Sequence, residues 1–61
     1  MPAILIELAK LDRDKKAQLV REVTESTSRI TGLPPQSIFV FIKENGLENI
    51  GVGGQLLADR E

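Results

Sequence analysis

The chain has no cysteine, no histidine, no tryptophan and no tyrosine, and its only aromatic side chains are two phenylalanines. Without cysteine there is neither a disulfide nor a thiolate nucleophile. Without histidine there is no imidazole base to activate Ser26, Ser28 or Ser37, and no Cys/His set for zinc. The acidic residues show no metal-ligand spacing, so neither a metal nor a cofactor is expected. Charge of one sign is missing too: eight Lys and Arg against nine Asp and Glu leave a formal −1. With these charges interspersed and so few aromatics, the chain offers neither a phosphate-tracking patch nor a base-stacking platform, which argues against nucleic acid as a partner. No apolar run is long enough to span a bilayer, and no cationic segment precedes an apolar one. The expectation is a cytoplasmic protein with no membrane association.

A length of 61 residues allows one domain, residues 1–61, and a core that small is marginal without a disulfide or a metal. Oligomerisation is the remaining route to stability. What the chain does have is order. Ala3-Ile4-Leu5-Ile6-Glu7-Leu8 is apolar at nearly every position, which predicts a strand covered on both faces, with Glu7 either facing solvent at an edge or pairing across an interface. Asp12 is a suitable N-cap for a helix from about Arg13 to about Thr31. Its apolar stripe is Leu19, Val20, Val23, Thr27 and Ile30; Gly32 supplies its stop, and Pro34-Pro35 forbid continuation. Ser37 to Ile42 reads as a second apolar strand ending near Glu44, with Ile38, Val40 and Ile42 on one face and Phe39 and Phe41 on the other.

Strand, helix and strand predict an α/β (α+β) fold: a single βαβ unit with two parallel strands and one amphipathic helix, followed by a short C-terminal hairpin or arm. The helix covers one sheet face, so the other needs a partner, expected to be another copy packed sheet to sheet. Asn45-Gly46 marks a turn. Gly51-Val52-Gly53-Gly54 lacks the lysine, the hydroxyl residue and the long following helix of a phosphate loop, which leaves a tight hairpin or bulge; Gln55-Leu56-Leu57-Ala58 then forms a helical turn or an arm.

Pro2 has two readings. As the start of an edge strand its missing N–H costs nothing. If Met1 is removed, as is usual before proline, Pro2 becomes a secondary amine. An ordinary α-amino group titrates at about 7.7–8.0, and apolar surroundings disfavour its charged form, so such an amine can accept a proton near neutral pH.

Taken together, Pro2, an apolar strand, a capped helix containing Leu19-Val20-Arg21-Glu22-Val23, Pro34, Ser37, a second strand ending near Glu44 and then Gly51-Val52-Gly53-Gly54 resemble the 4-oxalocrotonate tautomerases over essentially the whole chain. The resemblance implies that Pro2 is the catalytic general base of a cofactor-independent isomerase acting on a small enol or keto acid. It also implies a homo-hexamer built as a trimer of dimers. Three departures bear on substrate. Where the best-studied relatives carry arginines that grip a dicarboxylic acid, this chain has Leu11 and Phe39, and where they carry an aromatic before the glycine motif it has Ile50. Lys10 and Arg13 are the candidates to replace the first arginine, and Leu8, Ser37, Phe39 and Ile50 are expected to line the pocket at subunit contacts. The alternatives are a non-catalytic oligomeric scaffold or ligand-binding module, or a dehalogenase- or hydratase-type member using protonated Pro2.

Overall fold

The computed structural model describes residues 2–60. Strand β1 (Ala3–Leu8) and strand β2 (Phe39–Glu44) pair in parallel, from Ala3 opposite Phe39 to Leu8 opposite Glu44. Helix α1 (Arg13–Thr31) connects them. Asp12 is extended and its side chain accepts from the Lys15 N–H at 2.8 Å. At the other end Gly32 adopts φ 77°, the left-handed conformation in which a Cβ is strained, and its N–H bonds the Ser28 carbonyl at 2.8 Å.

The sheet is covered on one face. Ile4, Ile6 and Leu8, with Val40 and Ile42, are half-buried beneath α1, while Leu5 and Phe41 on the opposite face are 62% and 54% exposed. Glu7, on that open face, is exposed and its Oε1 accepts from Asn45 Nδ2 at 3.3 Å. Among the described residues only Ile38 is buried, at 8% exposure. The radius of gyration is 14.7 Å, against about 10.5 Å for a compact domain of this length. The accessible surface of 4819 Å² is about 900 Å² above what a folded monomer of this mass presents.

Three details differ from the sequence reading. The second strand begins at Phe39, not Ser37, because Pro35–Ser37 form a 3-10 turn in which the Ser37 and Ile38 N–H groups bond the carbonyls of Pro34 and Pro35 at 3.0 and 3.1 Å. Ile30 does not join the apolar stripe: it is 78% exposed. A helix of 19 residues is about 28 Å long and a strand of six about 20 Å, so the last turn of α1 overhangs the sheet. Residues 55–58 form neither a single helical turn nor an arm: the first two complete a hairpin and only the last two enter a turn. Strands β3 (Gly51–Val52) and β4 (Gln55–Leu56) make an antiparallel hairpin, and Leu57–Asp59 follow as a 3-10 turn. Gly53 and Gly54 form its tip at φ 62° and 85°, the two positive values that a tight two-residue hairpin requires. No described helix is long and apolar enough to cross a membrane.

Candidate active site

Pro2 stands at the head of β1, half-buried, and its carbonyl accepts the Phe39 N–H at 3.0 Å. That bond fixes the proline just before the first ladder pair, so the ring is held by the sheet rather than left on a free end. Phe39 is exposed beside it on the open face, at 45%. Ser37 sits in the adjacent turn, half-buried, where its hydroxyl donates to the Pro34 carbonyl at 2.9 Å. Its proton is committed locally and its lone pairs remain available to a ligand. Pro2, Ser37 and Phe39 therefore share one end of the sheet. Met1, whose removal would create the amine, lies outside the described residues.

The other expected site residues are at the opposite end. Leu8 and Ile50 line a cavity of about 450 Å³ with Asn45, Asn49, Gly51 and Leu57. Lys10 lines a second, of about 480 Å³, with Ala9, Glu44, Asn45, Gly46 and Leu47. Arg13 lines neither: its side chain is 89% exposed and lies 3.6 Å from Asp14. Leu11 is half-buried and faces a groove along α1 with Lys15, Gln18, Leu19 and Glu22. Six residue steps of strand separate Pro2 from Leu8, about 20 Å, far more than a small carbonyl acid spans. One copy of the chain thus brings together Pro2, Ser37 and Phe39 at one end, and at the other places Leu8 with Ile50 in one cavity and Lys10 in a second that shares Ala9 and Asn45 with it, but does not join the two ends.

Glu44 and Asn45, which the sequence marks only as a strand end and the start of a turn, organise the second group. Glu44 Oε2 accepts the Leu11 N–H at 2.9 Å and Oε1 lies 3.3 Å from Lys16 Nζ. The Leu11 N–H first, then Lys16 and the more distant Lys10, hold the Glu44 carboxyl below its ordinary value of 4.5 against an opposing effect of partial desolvation. Asn45 N–H bonds the carbonyls of Leu8 at 2.8 Å and Ala9 at 3.1 Å. The available signal is parity: Glu44 falls on the same, helix-covered strand face as Val40 and Ile42, although at the end of the strand it stays exposed. Among the described residues no three His, Cys, Asp or Glu side chains gather as a metal set.

A family model described as "Tautomerase enzyme" matches residues 2–60. A probable tautomerase of Lactiplantibacillus plantarum is 36% identical over 62 residues, spanning 100% of this chain and 97% of its own length. Among solved structures, DmpI from Archaeoglobus fulgidus superimposes with a TM-score of 0.89 at 38% identity, covering 95% of this chain and 100% of its own. YwhB, a homologue of 4-oxalocrotonate tautomerase, gives 0.93 at 31% identity, covering 98% and 100%.

Proposed function

The chain belongs to the tautomerase enzyme family, and from that premise we propose that it is a cofactor-independent isomerase whose base is the Pro2 amine, freed by removal of Met1. The observation that carries this reading is the anchoring of Pro2 by the Phe39 N–H at the head of an apolar strand. A base contributes only if it is held within hydrogen-bond reach of the proton it takes, and a ring tied to the sheet loses little freedom on binding substrate. The amine accepts the proton of an enol hydroxyl or an allylic carbon and returns it to another carbon of the same conjugated system. Proton and charge balance within the substrate, and no co-reactant enters. In a pocket closed over the amine, an apolar neighbour such as Phe39 disfavours the cationic form.

The pocket is completed by another copy. The open sheet face carries Leu5, Phe39 and Phe41, and the surplus surface of about 900 Å² matches what one partner contributes to an ordinary stable interface. If the two-fold axis relating two such faces lies perpendicular to the strands, the strands of the two copies run in opposite senses. The Pro2 end of one copy then meets the Leu8, Lys10 and Ile50 end of the next, which supports an oligomer with shared sites; a hexamer built as a trimer of dimers is the form this reading favours. With leucine and phenylalanine at positions 11 and 39, the pocket suits an acid carrying one carboxylate, such as an aromatic enol of the phenylpyruvate type, better than a dicarboxylate. Lys10 and Arg13 are the cations available to it, and Ser37 contributes acceptor lone pairs.

The test compares protein whose mass shows Met1 removed with protein that retains it, on 2-hydroxymuconate and phenylenolpyruvate. Retained Met1 makes Pro2 an amide without a basic lone pair, so turnover is expected only in the processed sample, and Pro2→Ala in that sample is expected to lose about 10²-fold or more. Equal turnover with and without Met1 rules the amine out. The missing arginines at Leu11 and Phe39 favour one rival reading, a tautomerase-fold module that binds a small ligand without turning it over; ligand binding with no turnover in either sample would establish that reading instead.

A further inference from the structure

The connection between β1 and α1, residues Ala9 to Asp12, is short, exposed over most of its length and carries Lys10, yet its backbone is tied on both sides of that residue. Before Lys10, the Leu8 and Ala9 carbonyls accept the Asn45 N–H at 2.8 and 3.1 Å; after it, the Leu11 N–H donates to Glu44 Oε2 at 2.9 Å. The second carboxylate oxygen of Glu44 lies 3.3 Å from Lys16 Nζ, which takes up its charge from α1. Lys10 itself has no carboxylate within ion-pair distance among the described residues. Its backbone is fixed while its side chain lines the cavity of about 480 Å³.

We propose that Glu44 is a positioning residue of the active site: it clamps the β1–α1 connection and, being ion-paired with Lys16 rather than with Lys10, leaves Lys10 as the cation that receives the substrate carboxylate. This rests on the tautomerase reading, and it separates Lys10 from Arg13, whose guanidinium lies against Asp14 outside the cavity. A charged side chain on a loop is worth most to a ligand when its backbone is already ordered, because the ordering cost is then not charged against binding. A glutamine at position 44 keeps an acceptor for the Leu11 N–H but turns an amide NH₂ toward the Lys16 ammonium, donor against donor. An alanine removes both contacts.

The experiment uses the full chain with Met1 removed, as wild type, Glu44→Ala and Glu44→Gln, and reads the Leu11 amide exchange rate together with kcat and KM for phenylenolpyruvate and for its methyl ester, which has no carboxylate. With Glu44→Ala, Leu11 exchange accelerates at least about tenfold, and KM for the acid rises about tenfold, equivalent to about 1.4 kcal/mol. In that variant kcat stays within about twofold, and KM for the ester does not move. Glu44→Gln keeps Leu11 slow and shows an intermediate KM. Unchanged Leu11 exchange in Glu44→Ala overturns the clamp. A fall in kcat at constant KM, an equal KM rise for acid and ester, or a matching collapse of all parameters in both variants overturns the positioning role. Absence of turnover in the wild type refutes the tautomerase reading and the positioning role with it, while the Leu11 exchange rates still decide whether the clamp exists.

Discussion

Pro2 and Phe39 mark the head of the sheet, where backbone turns and the buried Ile38 hold the chain; at its foot, Glu44 and Asn45 knit Leu8, Ala9, Leu11 and Lys16 together through polar and charged bonds. The contrast follows from what each end is asked to do in the proposed reaction. An amine that must be free of its proton near neutral pH is served by apolar neighbours, since any desolvation disfavours its cationic form. A lysine that must meet an anion is served by a loop whose nearest carboxylate, Glu44, already has a closer partner in Lys16, so that this carboxylate competes less for the lysine. The two requirements conflict at one point in space. A parallel pair of strands about 20 Å long keeps them apart within one copy.

Disabling each end in a separate chain has the largest consequence for activity. Pro2→Ala removes the head and Lys10→Glu reverses charge at the foot, each expected to lower kcat/KM for an enol acid about a hundred-fold. If every site takes its head from one copy and its foot from another, unfolding the two variants together and refolding them at equal amounts restores about one quarter of wild-type activity, because a quarter of random pairings are intact. A site contained in one chain gives no recovery beyond the mean of the two parents. Steady-state rates before and after co-refolding decide between these outcomes.

Stability distinguishes the ends next. Ile38→Ala, at the head, empties the one buried apolar position among the described residues and is expected to cost about 2–4 kcal/mol. Leu47→Ala, at the foot and 46% exposed, is expected to cost under about 1 kcal/mol. Denaturant midpoints at one fixed protein concentration check both, since assembly makes stability concentration-dependent. Similar losses at the two positions would mean that the foot also has an apolar core, formed between copies.

Much of this arrangement is legible in the residues because the signals are local. Asp12, Gly32 and Pro34-Pro35 bound the helix that runs from Arg13 to Thr31, and adjacent glycines at 53 and 54 mark the hairpin tip. Of the candidate site, Pro2 is legible from its own position at the head of a strand. Ser37 and Phe39, which stand beside it in the fold, are named in the sequence only through the family resemblance, because residues close to Pro2 along the chain leave along the strand. Ser37 illustrates a subtler limit. It opens a run of strand-forming residues, yet the Pro34 carbonyl captures its N–H and hydroxyl and holds it in a turn. Ile30 fits the helical stripe by spacing and still faces solvent, since the sheet beneath it has ended. Glu44 has the parity of a covered position, but which donors it meets depends on how the Ala9–Asp12 connection folds back, and that is a tertiary fact.

The smallest expected effect concerns the foot alone. Glu44 has a folded-state carboxyl held below 4.5 by the Leu11 N–H, by Lys16 and by Lys10. Its ionised form is therefore favoured by folding. The resulting stabilisation is fully present above the unfolded value near 4.5 and is lost as pH falls through the lower folded value. In Glu44→Gln that contribution is absent at every pH, so the gap between the wild-type and variant denaturation midpoints is expected to be constant from pH 7 down to about 5 and to narrow as the solution is made more acidic. The gap stays small because both partners of the Glu44–Lys16 pair remain in contact with water, where ion pairs contribute little. A gap that widened on acidification would mean that folding favours the protonated carboxyl. Glu44 would then be a donor rather than the acceptor the clamp requires, and the foot would lose the charge pattern that sets it apart from the head.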